Sequence, residues 1–119
     1  MKWLRKYKES LDDILDLTKD TLAYLLDGGR FQIGSSTNLA GTKIITVVMI
    51  QSSTYGNYFS FQSIKEDIIP LINILQYRYD DIELELVQRN FSIIKVDITK
   101  LEVVKYNSSL LRSIIIKIN

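Results

Sequence analysis

The residues best placed for carboxylate chemistry are Glu83 and Asp97. Ile82, Leu84 and Leu86 alternate along one segment, and Ile94, Val96 and Ile98 along the next. Pairing 82 with 98, 84 with 96 and 86 with 94 gathers all six on one face and sets Glu83 opposite Asp97. Two carboxylates at that range destabilise a hairpin unless a cation or a shared proton intervenes, so this pair is the candidate site for Mg²⁺ or paired-acid chemistry. Lys117 on the last apolar segment offers plain neutralisation instead. The same register gives Glu85 a favourable partner in Lys95.

The second constellation is the basic start, where Lys2, Arg5, Lys6 and Lys8 surround Trp3 and Tyr7. Cations interleaved with aromatics suit phosphate contact with base stacking. Positive charge at a helix N-terminus also opposes the macrodipole, a small cost that stability alone would not select. The plainer reading is a solvated first turn. Glu9, Asp13, Asp16 and Asp20 recur at helical spacing and read as the wet face of an amphipathic helix. Tyr55, Tyr58, Phe59 and Phe61 cluster around Gly56, a group that suits a stacking or partner surface and, as the plainer reading, core packing beneath the second helix.

The chain has no His and no Cys, which removes thiol nucleophiles, zinc ribbons, His-based triads and His proton transfer. Since His is the commonest general acid–base, a non-catalytic role is the preferred reading, and no cofactor is implied. Fifteen basic and fourteen acidic residues leave a net charge of +1, which argues against a polybasic nucleic-acid coat but not against a local basic patch. No apolar run approaches the roughly twenty residues that span a bilayer, and the start is charged where a signal peptide is apolar, so the expected home is the cytoplasm without membrane insertion. The abundance of Ile and Tyr beside absent Cys and His fits an AT-rich genome and a hot habitat, the composition of small viral or accessory proteins of thermophiles.

The elements that must position these residues form one α+β domain over residues 1–119. A helix is expected over residues 2–27, closed by Gly28-Gly29. Strands follow at 30–34, 43–51 and 58–61, with residues 35–41 a loop and the β-branched run 43–51 a central strand covered on both faces. A second helix begins either at Ser63, through a capping box with Glu66, or at Asp67, which would bring Pro70 into its first turn. The hairpin is expected to turn on a three-residue loop with Asn90 left-handed, and strands at 102–106 and 113–118 complete the order α-β-β-β-α-β-β-β-β. This implies an antiparallel sheet of five to six strands with both helices on one face.

Two helices cover one face of such a sheet, yet residues 43–51 and 114–116 carry apolar residues toward both. The expectation is therefore a small interaction protein acting as a homodimer, with Tyr55, Tyr58, Ile114 and Ile116 in the partner interface. Another protein could take the same place. Nucleic-acid binding through Lys2, Trp3, Arg5, Lys6 and Lys8 is the alternative, and a Mg²⁺-dependent carboxylate enzyme at Glu83 and Asp97 the second.

Overall fold

The computed structural model describes residues 11–50, 58–100 and 110–119. The expected strand at 102–106, the basic start and Tyr55 lie outside the described residues. Among those described, the order is helix α1 (Leu11–Thr21), helix α2 (Ala23–Asp27), strands β1 (Phe31–Thr37), β2 (Lys43–Met49) and β3 (Phe59–Ser60), helix α3 (Phe61–Arg78), strands β4 (Ile82–Gln88) and β5 (Ile93–Val96), a 3₁₀ turn (Ile98–Lys100) and strand β6 (Leu110–Ile118).

The first helix breaks at Leu22, where one continuous helix was expected. Leu22 sits at φ −96°, ψ 16° between the two assigned segments. The Thr18 hydroxyl donates to the Ile14 carbonyl and the Thr21 hydroxyl to the Leu17 carbonyl, both at 2.8 Å. Such back-bonding bends a helix. The backbone bonds from Leu22 to Thr18 and from Leu26 to Leu22 persist across the break, so the apolar stripe runs on.

Helix α3 begins at Phe61, before either expected start. Ser60 is its N-cap, accepting from the Ser63 amide at 3.3 Å, while the Ser63 hydroxyl returns a bond to the Ser60 carbonyl at 2.7 Å. Phe61 is therefore helical, and the expected strand at 58–61 shrinks to two residues. Pro70 lies well inside the helix, and both Pro70 and Glu66 are exposed. The carbonyl that Pro70 leaves without its usual donor is that of Glu66, on the wet side of the helix. Ile64, Ile68, Leu71, Ile72 and Leu75 bury the other side, as their spacing requires.

The sheet has the order β1-β2-β6-β4-β5, every pair antiparallel, with β3 against the start of β6. The last strand in sequence is thus the central one in space. Its neighbours set rows that cross the whole sheet: Ile45, Ile116, Leu84 and Val96 form one, and Val47, Ile114 and Leu86 begin the next. These side chains are buried in one cluster with Ile14, Leu22 and the apolar face of α3. Burying each such side chain stabilises the fold by roughly 1.5–3 kcal/mol. Phe31 and Phe59 close one end, edge to face at 5.3 Å.

Three expectations about strands are corrected. β1 runs on through Ser35, Ser36 and Thr37, expected as loop, because each pairs with a residue of β2. The turn comes at Asn38, whose side chain accepts from the amides of Ala40 and Thr42. β2 is interior to the sheet, but only Ile45 and Val47 are buried, while Ile44, Thr46 and Val48 on the opposite face are half-buried. In the β4–β5 hairpin the predicted pairs 84–96, 85–95 and 86–94 form. The left-handed residue of its loop is Phe91, at φ 69°, and not Asn90. Asn90 instead accepts the Ser92 amide on its side chain at 3.0 Å.

Candidate functional site

The helices occupy one face of the sheet, so the other face is where exposed chemistry collects. Register places Ile44, Thr46 and Val48 of β2, Ser113, Ile115 and Lys117 of β6, Glu83, Glu85 and Val87 of β4, and Ile93 and Lys95 of β5 on this second face. A Cβ added at Gly34, which pairs with Thr46, would meet nothing within 4 Å. Ile93 is 57% exposed, whereas Glu85 is buried and meets Lys117 at 3.2 Å.

One end of this face is built by a β-bulge. Val87 pairs with Ser113 but Gln88 pairs with Leu111, which leaves Arg112 without a partner on β4. On its other side, Ser113 pairs with Val48 and Leu111 with Phe59, so Arg112 is unpaired there too. Strict alternation would put Leu111 and Ile114 on opposite faces. The extra residue lets both be fully buried and turns Arg112 outward.

The Arg112 guanidinium carbon lies 4.0 Å from the centre of the Phe91 ring and 5.5 Å from that of Tyr58. Its Nη1 donates to the Tyr58 hydroxyl at 3.2 Å and to the Arg89 carbonyl at 3.4 Å. The Arg89 guanidinium carbon also lies 5.5 Å from the Tyr58 ring centre. Two cations are held by two aromatic rings, and among the described residues neither arginine has a carboxylate partner. Arg112, Tyr58, Phe91 and Ser113 with Val48, Met49 and Val87 line an open cleft of about 450 Å³.

Phe91 is there at a conformational cost. The Phe91 amide donates to the Gln88 carbonyl and the Gln88 amide to the Ser92 carbonyl, a three-residue turn whose last position is left-handed. A non-glycine residue there costs about 1–2 kcal/mol. The ring remains 69% exposed, so burial offsets little of that cost.

The expected site residues are distributed differently. Tyr58 belongs to the cluster. Ile114 and Ile116 are wholly buried against the helices, and the open face carries Ile115 instead, because their register with Leu86, Leu84, Val47 and Ile45 puts them on the core side of β6. Glu83 stands opposite Lys117 of β6, and the β4–β5 ladder stops at Leu84–Val96, before the Glu83–Asp97 step. Asp97 accepts the Thr99 amide at 3.0 Å and its hydroxyl at 2.6 Å, a local turn that takes the chain out of the ladder. Among the described residues no three acidic, His or Cys side chains gather as a metal site. Lys2, Trp3, Arg5, Lys6 and Lys8 lie outside the described residues.

Sequence reasoning missed Arg89, Phe91 and Arg112. The available signal was the break in period at β6: Ile114, Ile116 and Ile118 alternate, and Leu111 falls out of phase with them.

No protein-family model matches the chain, and no solved structure matches it. The mitochondrial homoaconitase of Kluyveromyces lactis is 34% identical over 86 residues, covering 66% of this chain. The chain spans only 12% of the length of that protein.

Proposed function

We propose that this chain is a non-catalytic interaction protein of the cytoplasm that works through the second face of its sheet, with a second copy of itself as partner. The supporting observation is the composition of that face: Ile44, Val48, Val87 and Ile115 are half-buried and Ile93 is exposed, on the side away from the helices. Apolar area left in water is available to drive association.

Charge favours a second copy as occupant. Glu83 and Lys95 stand on this face, and among the described residues neither has an ion-pair partner. A two-fold axis through the face presents Glu83 of one copy to Lys95 of the other twice over, so one pattern complements itself. No helix among the described residues is long and apolar enough to cross a membrane.

Sedimentation equilibrium tests this directly. The wild type is expected at twice its chain mass of 13.8 kDa at high micromolar concentration, and Ile115→Glu at the single mass while still folded by circular dichroism, with a lower melting temperature because the stabilisation by association is lost and the new carboxylate stands opposite Glu85. A wild type that sediments as a single chain throughout that range overturns the proposal.

A further inference from the structure

We infer that the cleft at the Arg112 bulge is a binding site for a nucleoside phosphate, the anion held by Arg112 and Arg89 and the base stacked on Phe91. Three independent features converge on it. The bulge is the only break in β6 pairing among the described residues, and it turns a cation toward the open face. Among the described residues the Arg112 guanidinium meets two rings, the Tyr58 hydroxyl and the Arg89 carbonyl, the Arg89 guanidinium meets the Tyr58 ring, and neither meets a carboxylate, so their charge is uncompensated there. Phe91 keeps a positive φ in a turn where glycine would be free of strain, and holds its ring 69% exposed.

The ligand chemistry follows from what each part can recognise. Guanidinium forks match phosphate oxygens, and fixing the Arg112 fork against Tyr58 and Phe91 lowers the entropy lost when an anion binds. Arg112 covers one side of Phe91, and the ring's remaining exposure accepts a flat partner. Val48 and Val87 give the cleft an apolar floor. A carboxylate peptide would satisfy the arginines but leave the ring without a role. On the far side of the turn, a second hollow of about 480 Å³ is lined by Gln88, Arg89, Asn90 and Leu110, which gives a neighbouring nucleotide of a strand a place to continue past Arg89.

The site does not rest on self-association. Binding is therefore measured by amide NMR at low micromolar concentration on the wild type and on Ile115→Glu, so that loss of the dimer and loss of the site are read separately. The probes are adenosine monophosphate, a single-stranded nonamer of oligoadenylate, inorganic phosphate and an oligoglutamate peptide. The expected result is shifts at Phe91, Ser92 and Arg112 with adenosine monophosphate or the nonamer. A nonamer that binds much more tightly than the mononucleotide identifies a strand as the ligand, and equal affinities identify the free nucleotide. Phe91→Leu and Arg112→Gln are each expected to weaken binding about tenfold while the melting temperature is retained. Lys65→Gln on α3 is expected to leave binding unchanged. Oligoglutamate binding as tightly as the nonamer, phosphate binding as tightly as adenosine monophosphate, or no shift with either nucleotide probe would overturn the assignment.

Discussion

At the scale of single residues, the second face holds two kinds of charge that obey different rules. Arg89 and Arg112 keep their solvation or their rings, whereas Glu85 is 4% exposed and depends on Lys117 at 3.2 Å. Removing one member of a buried pair strands the other, and the penalty falls on whichever charge is left in the less polar place. Lys117 is the more accessible partner, so the two single variants should differ. Lys117→Met is expected to cost about 2 kcal/mol, because it takes the ion pair from the buried Glu85 carboxylate, and less than a fully buried pair because Lys117 is partly exposed and Lys95 stands opposite Glu85 in register. Glu85→Gln retains an acceptor for Lys117 and is expected to cost less than about 1 kcal/mol. Urea titration of both variants at neutral pH measures the difference, and equal losses would contradict it.

At the scale of elements, helix α3 carries opposing local signals. Its start is well formed, since Ser60 satisfies an amide of the first turn. Ser60→Ala is expected to lower stability by about 1 kcal/mol. Its middle contains an exposed proline, which restores nothing in packing for the hydrogen bond it removes. Pro70→Ala is expected to raise stability by about 2 kcal/mol, the helix-propensity gain reduced by the greater freedom of the unfolded chain. Thermal melts of the two variants should therefore move in opposite directions. The apolar spacing of α3 was legible in the sequence, and so were the inner pairs of the β4–β5 hairpin, because both follow from a single period. The position of the cap was not. Ser60 and Ser63 are both capable caps, and only the brevity of β3 against Leu111 decides that the helix starts after the first.

At the scale of the whole molecule, β6 is the strand around which the sheet is assembled. Two residues adjacent in sequence test the two faces it separates. Ile116 is fully buried between Ile45 and Leu84, and Ile116→Ala is expected to cost about 3 kcal/mol. Ile115, half-buried on the opposite face, is expected to cost less than about half as much when changed to Ala under conditions where the chain is monomeric. Chemical denaturation of the pair measures how unequal the two faces are, and similar losses would mean that both are sealed within one chain. The bulge at Arg112 belongs to this scale as well. It exists because Leu111 must enter the core beside Phe59 while Ile114 enters it three residues later.

The amino-acid sequence by itself determined the α+β class, the antiparallel sheet with its helices on one face, the buried side of α3 and the register that sets Glu85 opposite Lys95, though the ion pair of Glu85 is with Lys117. Each depends on a local period or a near neighbour in the chain. Tertiary structure alone decided that the final strand lies at the centre, that Ile114 and Ile116 face inward, and that Tyr58, Arg89, Phe91 and Arg112 meet. Those residues are up to 54 positions apart, and their meeting depends on one unpaired residue that shifts the phase of β6. A strand's period states which residues share a side; only the core into which it packs chooses the side, and with it the place where the phase must slip.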